Sequence, residues 1–401
     1  MIDYAEALRL VVGKAKRLPA ESVPLMTSLG RTLAQTIRAG APIPPFAKAT
    51  MDGYAVRAED TSPAAAGLPV ELEVVEDLPA GRVSRKALGL GQAVRIMTGA
   101  PLPKGADAVV MVEDTEKAGT RAKIFRPVAP GDNIGRAGED LEKGDLILER
   151  GELIGPAEVG MLAALWLASI RVARRPKLAV VATGDEIVEP GEKTGPGRIW
   201  NSNGYSLLSL ALEAGAEARY LGIARDRSSE LRLKIRKARD ADILAVSGGV
   251  SVGDYDLVKE GLRNLGVRPV FWQLRIKPGK PTFFGVCGRQ LVFGLPGNPT
   301  SAMVMFHLFV WSAIDLMLGR RQTGPQSGRA VLEQEISVRP GRTQFLRGRL
   351  VGQGPVLRVE PYPDQRSGVL RSMVKCRVLI VVPADLSRLD KGREVEVLFL
   401  D

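Results

Sequence analysis

Apolar residues near the start of the chain recur at helical spacing: Tyr4, Ala7, Leu8, Val11 and Val12. That i, i+3, i+4 pattern predicts an amphipathic helix. Residues 1–38 are read as helical, up to Pro42, Pro44 and Pro45, which end any helix. Between about 69 and 128 the apolar runs shorten to strand length, at 70–75, 92–97, 108–112 and 122–128. Gly and Pro clusters separate them, as in a β-rich module. Residues 156–173 form an apolar stretch read as a helix, with Pro156 near its start and Arg171, Arg174 and Arg175 near its end.

The pattern then alternates. Continuous apolar runs at 177–182 and 243–246 predict buried strands, and 220–224, 267–276 and 290–293 add further ones. Helical spacing marks 203–214, 228–238 and 257–265. Strand and helix in turn predict a doubly wound α/β/α domain. From about Gly324 strand patterns return, at 331–338, 345–351, 356–359, 377–382 and 394–400, and predict a small β domain. The longest apolar stretch, 303–318, is broken by His307, Ser312 and Asp315, so a buried helix is expected and no membrane span. The first ten residues carry Asp3 and Glu6 and show no signal pattern, which predicts a cytoplasmic protein.

Composition narrows the chemistry. The 401 residues include one histidine, His307, and two cysteines, Cys287 and Cys376. This excludes zinc fingers, HExxH proteases, iron–sulfur sites and a disulfide framework. His307 is expected to pack in the core, and the cysteines to be small buried hydrophobes or strand residues. Catalysis must use carboxylates, lysines, hydroxyls and backbone amides, with or without a hard metal ion. A net charge of +11 suits an anionic ligand; aromatic content of 5% is thin for stacking nucleic-acid bases. A small anionic ligand is therefore expected, and no nucleic acid.

Three loops at predicted strand ends suit anions. Residues 247–253 carry Ser247, Gly248, Gly249, Ser251 and Gly253, which offer hydroxyls and close backbone N–H approach. Lys277 and Lys280 sit on a backbone stiffened by Pro278 and Pro281. Pro296, Gly297, Asn298 and Pro299 open a helix, with Asn298 placed to cap it. Asp185, Glu186, Asp226, Asp254 and Asp256 stand beside these loops, and converging carboxylates would suggest Mg²⁺.

The ordered set of motifs resembles the molybdopterin molybdenumtransferase family, the MoeA proteins and the E domain of gephyrin. The matches are MDGYA at 51–55, GED at 138–140, TGDE at 183–186, SGGVSVGDYD at 247–256, KPGKP at 277–281 and LPGNP at 295–299, with a similar segment at 365–368. The resemblance implies a multidomain α/β chain. A MogA-like molybdopterin-binding domain would occupy 1–20 and 173–322, and an elongated linking domain 21–44 and 140–172. An inserted β-rich module would fill 45–139, and a small C-terminal β-barrel 323–401. It implies a homodimer with the active cleft between subunits, acting with a molybdopterin adenylyltransferase and downstream cofactor-handling proteins.

The implied reaction inserts molybdate into adenylylated molybdopterin, with Mg²⁺-dependent release of AMP. Asp52, Asp140, Glu186, Asp226 and Asp256 match acidic positions linked to activity, and Glu186, Asp226 and Asp256 are the implied metal ligands. Ser251, Lys280, Arg347 and Ser372 match oxyanion-binding positions. Thr183, Gly184 and Lys277 join the three loops as implied substrate contacts. The chain departs from the family pattern at Ala49, Gly135, Asn201 and Thr300, where Ser, a basic residue, an acidic residue and Val are common. A non-catalytic scaffold binding pterin or peptide, and insertion of tungstate by the same mechanism, remain open alternatives.

Overall fold

The structure, a computed structural model, describes residues 1–249, 261–263, 266–352 and 354–400. It has two compact units. One comprises Met1–Gln35, Arg150–Pro156 and Ser169–Asp401; the other comprises Thr36–Glu149 and Ala157–Ala168.

The first unit is built on a six-stranded sheet in the order Glu217–Ala224, Lys177–Thr183, Ile243–Ser247, Gln290–Leu295, Phe283–Cys287 and Arg268–Phe271. The first four strands are parallel. Their two faces feed different cores. Leu178 and Val180 pack with helices Tyr4–Lys14 and Asn203–Glu213 and with the long helix after residue 298. Ala179 and Val181 pack with helix Ser228–Lys237. Covered on both sides, these strands read as continuous apolar runs, and the expected three-layer domain is present. The strands Phe283–Cys287 and Arg268–Phe271 run antiparallel at one edge. The expected strand 267–276 is shorter than its pattern: a turn follows Phe271, and Ile276–Lys277 pairs with Thr343–Gln344. The expected helix at 257–265 lies largely outside the described residues.

Two expected helices are corrected together. Only Tyr4–Lys14 is helical within 1–38; Asp3 Oδ1 accepts from Glu6 N–H at 2.8 Å and caps its start. Ala20–Pro24 is instead a strand, paired antiparallel with Ser169–Ala173. The expected helix 156–173 therefore stops at Ala164, and Trp166 takes a left-handed φ of 62° before the strand begins. Val23, Ile170 and Val172 suit a ladder, and a pairing this distant in sequence outweighs local helical spacing.

The helix Pro299–Leu318 is long and apolar enough to cross a membrane by length and composition, yet most of it is buried in this unit's core. It carries a π-helical turn at Phe306–Val310. His307 is 4% exposed and stacks on Trp311 with ring centroids 5.4 Å apart, as a packed core ring should. Cys376 is buried, and Cys287 closes a strand half-buried.

The C-terminal strands Ser327–Leu332, Thr343–Val351, Arg358–Pro361, Val378–Val382 and Glu394–Phe399 close into a five-stranded barrel, because Thr343–Val351 pairs with both Arg358–Pro361 and Val378–Val382. The expected strand 331–338 is divided into Ser327–Leu332 and Ile336–Ser337. Leu332, Val359, Val378, Ile380 and Val397 fill the barrel.

The second unit holds a six-stranded sheet in the order Ala108–Met111, Gly53–Val56, Gln92–Ile96, Val70–Leu78, Arg121–Ile124 and Thr115–Ala118. Gly53 has a steric reason to be glycine: a Cβ there would fall 1.8 Å from the Val110 carbonyl oxygen. Tyr54 and Val56 enter one core of this unit, Ala55 and Val94 the other.

Thr300 is fully buried in the first turn of the long helix, and its hydroxyl has no hydrogen-bond partner. An unpaired buried hydroxyl costs about 1 kcal/mol or more. Thr300→Val is expected to stabilise the protein by about 1 kcal/mol. The measurement is the urea midpoint at unchanged slope; a lower midpoint would show that the hydroxyl contributes a bond.

Candidate functional site

Thr183, Ser247 and Leu295 end three adjacent parallel strands, and the loops that leave them gather at one end of the sheet. Gly248 N–H donates to Leu295 O at 3.0 Å, and Thr183 Oγ1 donates to Ser247 O at 3.2 Å. Gly248 turns at a φ of +93°, and a Cβ would lie 2.6 Å from Thr183 O, so only glycine fits this crossing. Asn203, the first residue of its helix, completes the junction. Its Nδ2 donates to Ser247 Oγ and to Gly297 O, both at 2.8 Å. Asn203 is 6% exposed, and its Oδ1 receives no hydrogen bond.

These loops enclose a cavity of about 440 Å³. Among residues expected from the sequence, Thr183, Gly184, Glu186, Asp226, Ser247, Gly248, Gly249, Pro296, Gly297, Asn298 and Pro299 line it. Glu186 and Asp226 come from separate strand ends. Arg225 ties the two segments together, donating from Nη1 to Ile187 O at 2.7 Å and Asp185 O at 3.1 Å, while Asp226 N–H donates to Asp185 Oδ1 at 3.2 Å. Ser251, Gly253, Asp254 and Asp256 lie outside the described residues. Among the described residues no three His, Cys, Asp or Glu side chains converge as a metal site. Glu186 and Asp226 are thus the two described carboxylates of this cavity. Asn298 stands at the N-cap of the long helix but makes no side-chain capping bond.

Pro281, from the KPGKP loop, and Asn201, a departure from the family pattern, also line the cavity, as do Ile199, Trp200, Ser202 and Asn203, to which no motif pointed. Asn201 is held from both ends. Its Oδ1 accepts from Gly204 N–H at 2.9 Å, and its Nδ2 donates to the Tyr220 hydroxyl oxygen at 2.6 Å. The Tyr220 hydroxyl donates to Glu189 at 2.7 Å. Burial, and then that bond to Glu189, push the Tyr220 phenol well above its ordinary pKa. A neutral amide at 201 suits a position beside Glu189, where a carboxylate would face a like charge.

A second cavity, of about 630 Å³, abuts the first and shares Pro281, Pro296 and Asn298 with it. It lies within the first unit, where the α/β domain meets the barrel. Lys277, Lys280, Arg342 and Arg366 give it four cations, with Ser301 and Ser367 as hydroxyls. Its carboxylate, Asp364, is engaged by Arg366, which pulls the Asp364 pKa down to about 2. Pairing of Ile276–Lys277 with Thr343–Gln344 brings Arg342 to the lysine loop, which local sequence spacing could not show.

Arg347 and Ser372 stand behind this wall. They are 1% and 0% exposed, and Arg347 Nε donates to Ser372 Oγ at 3.1 Å. The guanidinium also donates to the carbonyls of Gln365 at 3.0 Å, Asp364 at 3.0 Å and Arg366 at 3.1 Å. In this arrangement they organise the loop that presents Arg366 and Ser367.

Asp52 and Asp140 belong to the second unit, and both are exposed. Asp52 Oδ1 accepts from the Thr98 hydroxyl and the Thr98 N–H, each at 2.7 Å, and these bonds hold its pKa below the ordinary value. Asp140 follows a turn fixed by Gly138 N–H on Pro44 O at 2.9 Å and its own N–H on Ile43 O at 3.0 Å. At Gly135 a Cβ would meet Glu139, whose carboxylate lies 3.7 Å from Lys48 Nζ.

Three family models account for most of the chain. The MoeA N-terminal region (domain I and II) matches residues 2–165, a probable molybdopterin binding domain 179–315, and the MoeA C-terminal region (domain IV) 329–400. A molybdopterin molybdenumtransferase of Bacillus subtilis is 36% identical, covering all of this chain and 94% of the relative. One of Staphylococcus aureus is 32% identical, covering all of this chain and 96% of its own length. Among solved structures, a molybdopterin biosynthesis MoeA protein of Pyrococcus horikoshii has 36% identity and a TM-score of 0.86, covering 100% of this chain and 99% of that one. The described geometry and these full-length likenesses agree, and the chain belongs to the MoeA family of molybdopterin molybdenumtransferases.

Proposed function

We propose that this protein completes molybdenum cofactor by inserting molybdate into adenylylated molybdopterin, with Mg²⁺-dependent release of AMP. The observation that carries this assignment is the pair of abutting cavities of opposite character. One combines two carboxylates with a glycine-rich, hydroxyl-bearing loop; the other combines four cations. The names of the full-length relatives supply the substrate class.

In the first cavity the glycine loop lets a ligand phosphate approach the backbone at Gly249, while the Gly248 N–H and the Thr183 and Ser247 hydroxyls, bound to Leu295 O, Ser247 O and Pro296 O, hold that loop in place. Ser251 and Gly253 follow in the sequence. Glu186 and Asp226 fit a hard cation, since Mg²⁺ takes oxygen ligands from one or two carboxylates, phosphate and water. Asp256 would join them. When bound, the ion supplies charge neutralisation at the phosphates. In the second cavity Lys277, Lys280, Arg342 and Arg366 attract the molybdate dianion, and Ser301 and Ser367 can donate to its oxygens. Arg347 and Ser372 keep that loop in place. Pro281, Pro296 and Asn298 form the shared wall across which the pterin sulfurs meet the oxyanion. Tungstate has nearly the same size and charge, so the same residues would accept it.

The active form is proposed to be a cytoplasmic homodimer, in which the partner's Asp52 and Asp140 complete the cleft. It would receive its substrate from a molybdopterin adenylyltransferase and pass its product to cofactor-handling proteins.

Incubation with adenylylated molybdopterin, molybdate and Mg²⁺ should release AMP, and Asp226→Asn should slow that release by about 100-fold. Equal rates for the two proteins would overturn the assignment. The Thr98 bonds keep Asp52 ionised as pH falls. Thr98→Val removes the hydroxyl donor, so Asp52 protonates at higher pH and the acid limb of AMP release should move upward. An unmoved limb would exclude Asp52 as the group that sets it.

A further inference from the structure

We infer that the indole face of Trp200 is the platform on which the flat heteroaromatic ring of the ligand lies in the first cavity. This assignment rests on the function proposed above and names a residue that recognises that ligand.

Trp200 is 59% exposed and Ile199 is 60% exposed, yet neither sits on a loose segment. Ile199–Trp200 pairs in parallel with Ile187–Val188. Ile199 N–H donates to Glu186 O and Asn201 N–H donates to Val188 O, both at 2.8 Å, so backbone bonds flank the tryptophan. The indole N–H is already committed to Glu192 O at 3.2 Å. What Trp200 offers is therefore its ring face, at the wall of a cavity that also holds Glu186, Asp226 and the Gly248 loop. Leaving so large an apolar surface in water is unfavourable, and a flat π-system laid on it removes that surface and gains stacking energy.

The rest of the cavity narrows the ligand. Asn203, in its wall, is bound through Nδ2 to Ser247 Oγ and Gly297 O, so the glycine loop beside the indole is held in place. A ring face beside that loop selects a planar nitrogen heterocycle bearing a phosphate, a purine or a pterin. A sugar phosphate leaves the ring face bare.

The test uses the full chain with W200A and W200F, and calorimetric titration with AMP, 6-hydroxymethylpterin and ribose 5-phosphate. Stacking of a base on an aromatic side chain is commonly lost with at least about a tenfold fall in affinity on alanine substitution. W200A should weaken one or both ring ligands by about tenfold, W200F should hold them within about threefold, and ribose 5-phosphate should bind all three proteins alike. W200A binding both rings like the parent overturns the inference, as does an equal loss for ribose 5-phosphate. A fall in oligomeric mass for W200A, by sedimentation, also overturns it, since the indole would then serve a protein interface. The two proposals fail separately. A parent protein that releases no AMP from adenylylated molybdopterin sinks the function. Normal AMP release by W200A at the parent's KM sinks the platform alone.

Discussion

The side-chain amide of Asn203 reaches Ser247 Oγ and Gly297 O at 2.8 Å each, and so joins the start of a helix to the ends of two strands. Parallel strands that stop at a sheet edge leave backbone groups that must find partners away from water. Here they find one another: Gly248 N–H takes Leu295 O, and Thr183 Oγ1 takes Ser247 O. The junction leaves the strand-end loops little freedom. A rigid first layer of this kind is what a binding site needs, because ordering a loose loop on the ligand would offset much of the interaction energy.

Charge is divided across that junction. The excess of +11 is spread along the sequence, but folding concentrates part of it in the second cavity, where Lys277, Lys280, Arg342 and Arg366 outnumber Asp364. The first cavity keeps Glu186 and Asp226. An anion is therefore favoured in the second cavity, whereas the first favours a cation or hydrogen-bond donors. Arg347 serves this division indirectly. A guanidinium 1% exposed is costly to desolvate, and its bonds to three consecutive carbonyls and to Ser372 offset that cost while fixing the loop that carries Arg366.

Much of this was legible in the chain. Parallel strands buried on both faces give unbroken apolar runs, so 177–182 and 243–246 could be read directly. The Gly-, Lys- and Pro-rich loops after them carried the candidate site. The residues 20–24 and 169–173 were misread, because their strand character comes from each other across a long sequence separation. Arg342 was invisible for the same reason. Trp200 was missed because a sequence does not distinguish an exposed tryptophan from a core one. His307, by contrast, followed from its apolar neighbours. Thr300 and Asn201 stood out as departures from a family pattern, and their surroundings give each a meaning: an unpaired hydroxyl in one case, a neutral partner for Tyr220 and Glu189 in the other.

The central claim is that the cation-lined cavity beside the shared Pro281–Pro296–Asn298 wall is where the oxyanion enters. Anomalous diffraction at the molybdenum edge, from crystals soaked in molybdate, addresses it most directly. The account expects an anomalous peak within the second cavity, close to Lys280 and the 365–367 loop. A strong peak elsewhere on the protein, with that cavity empty, would contradict it.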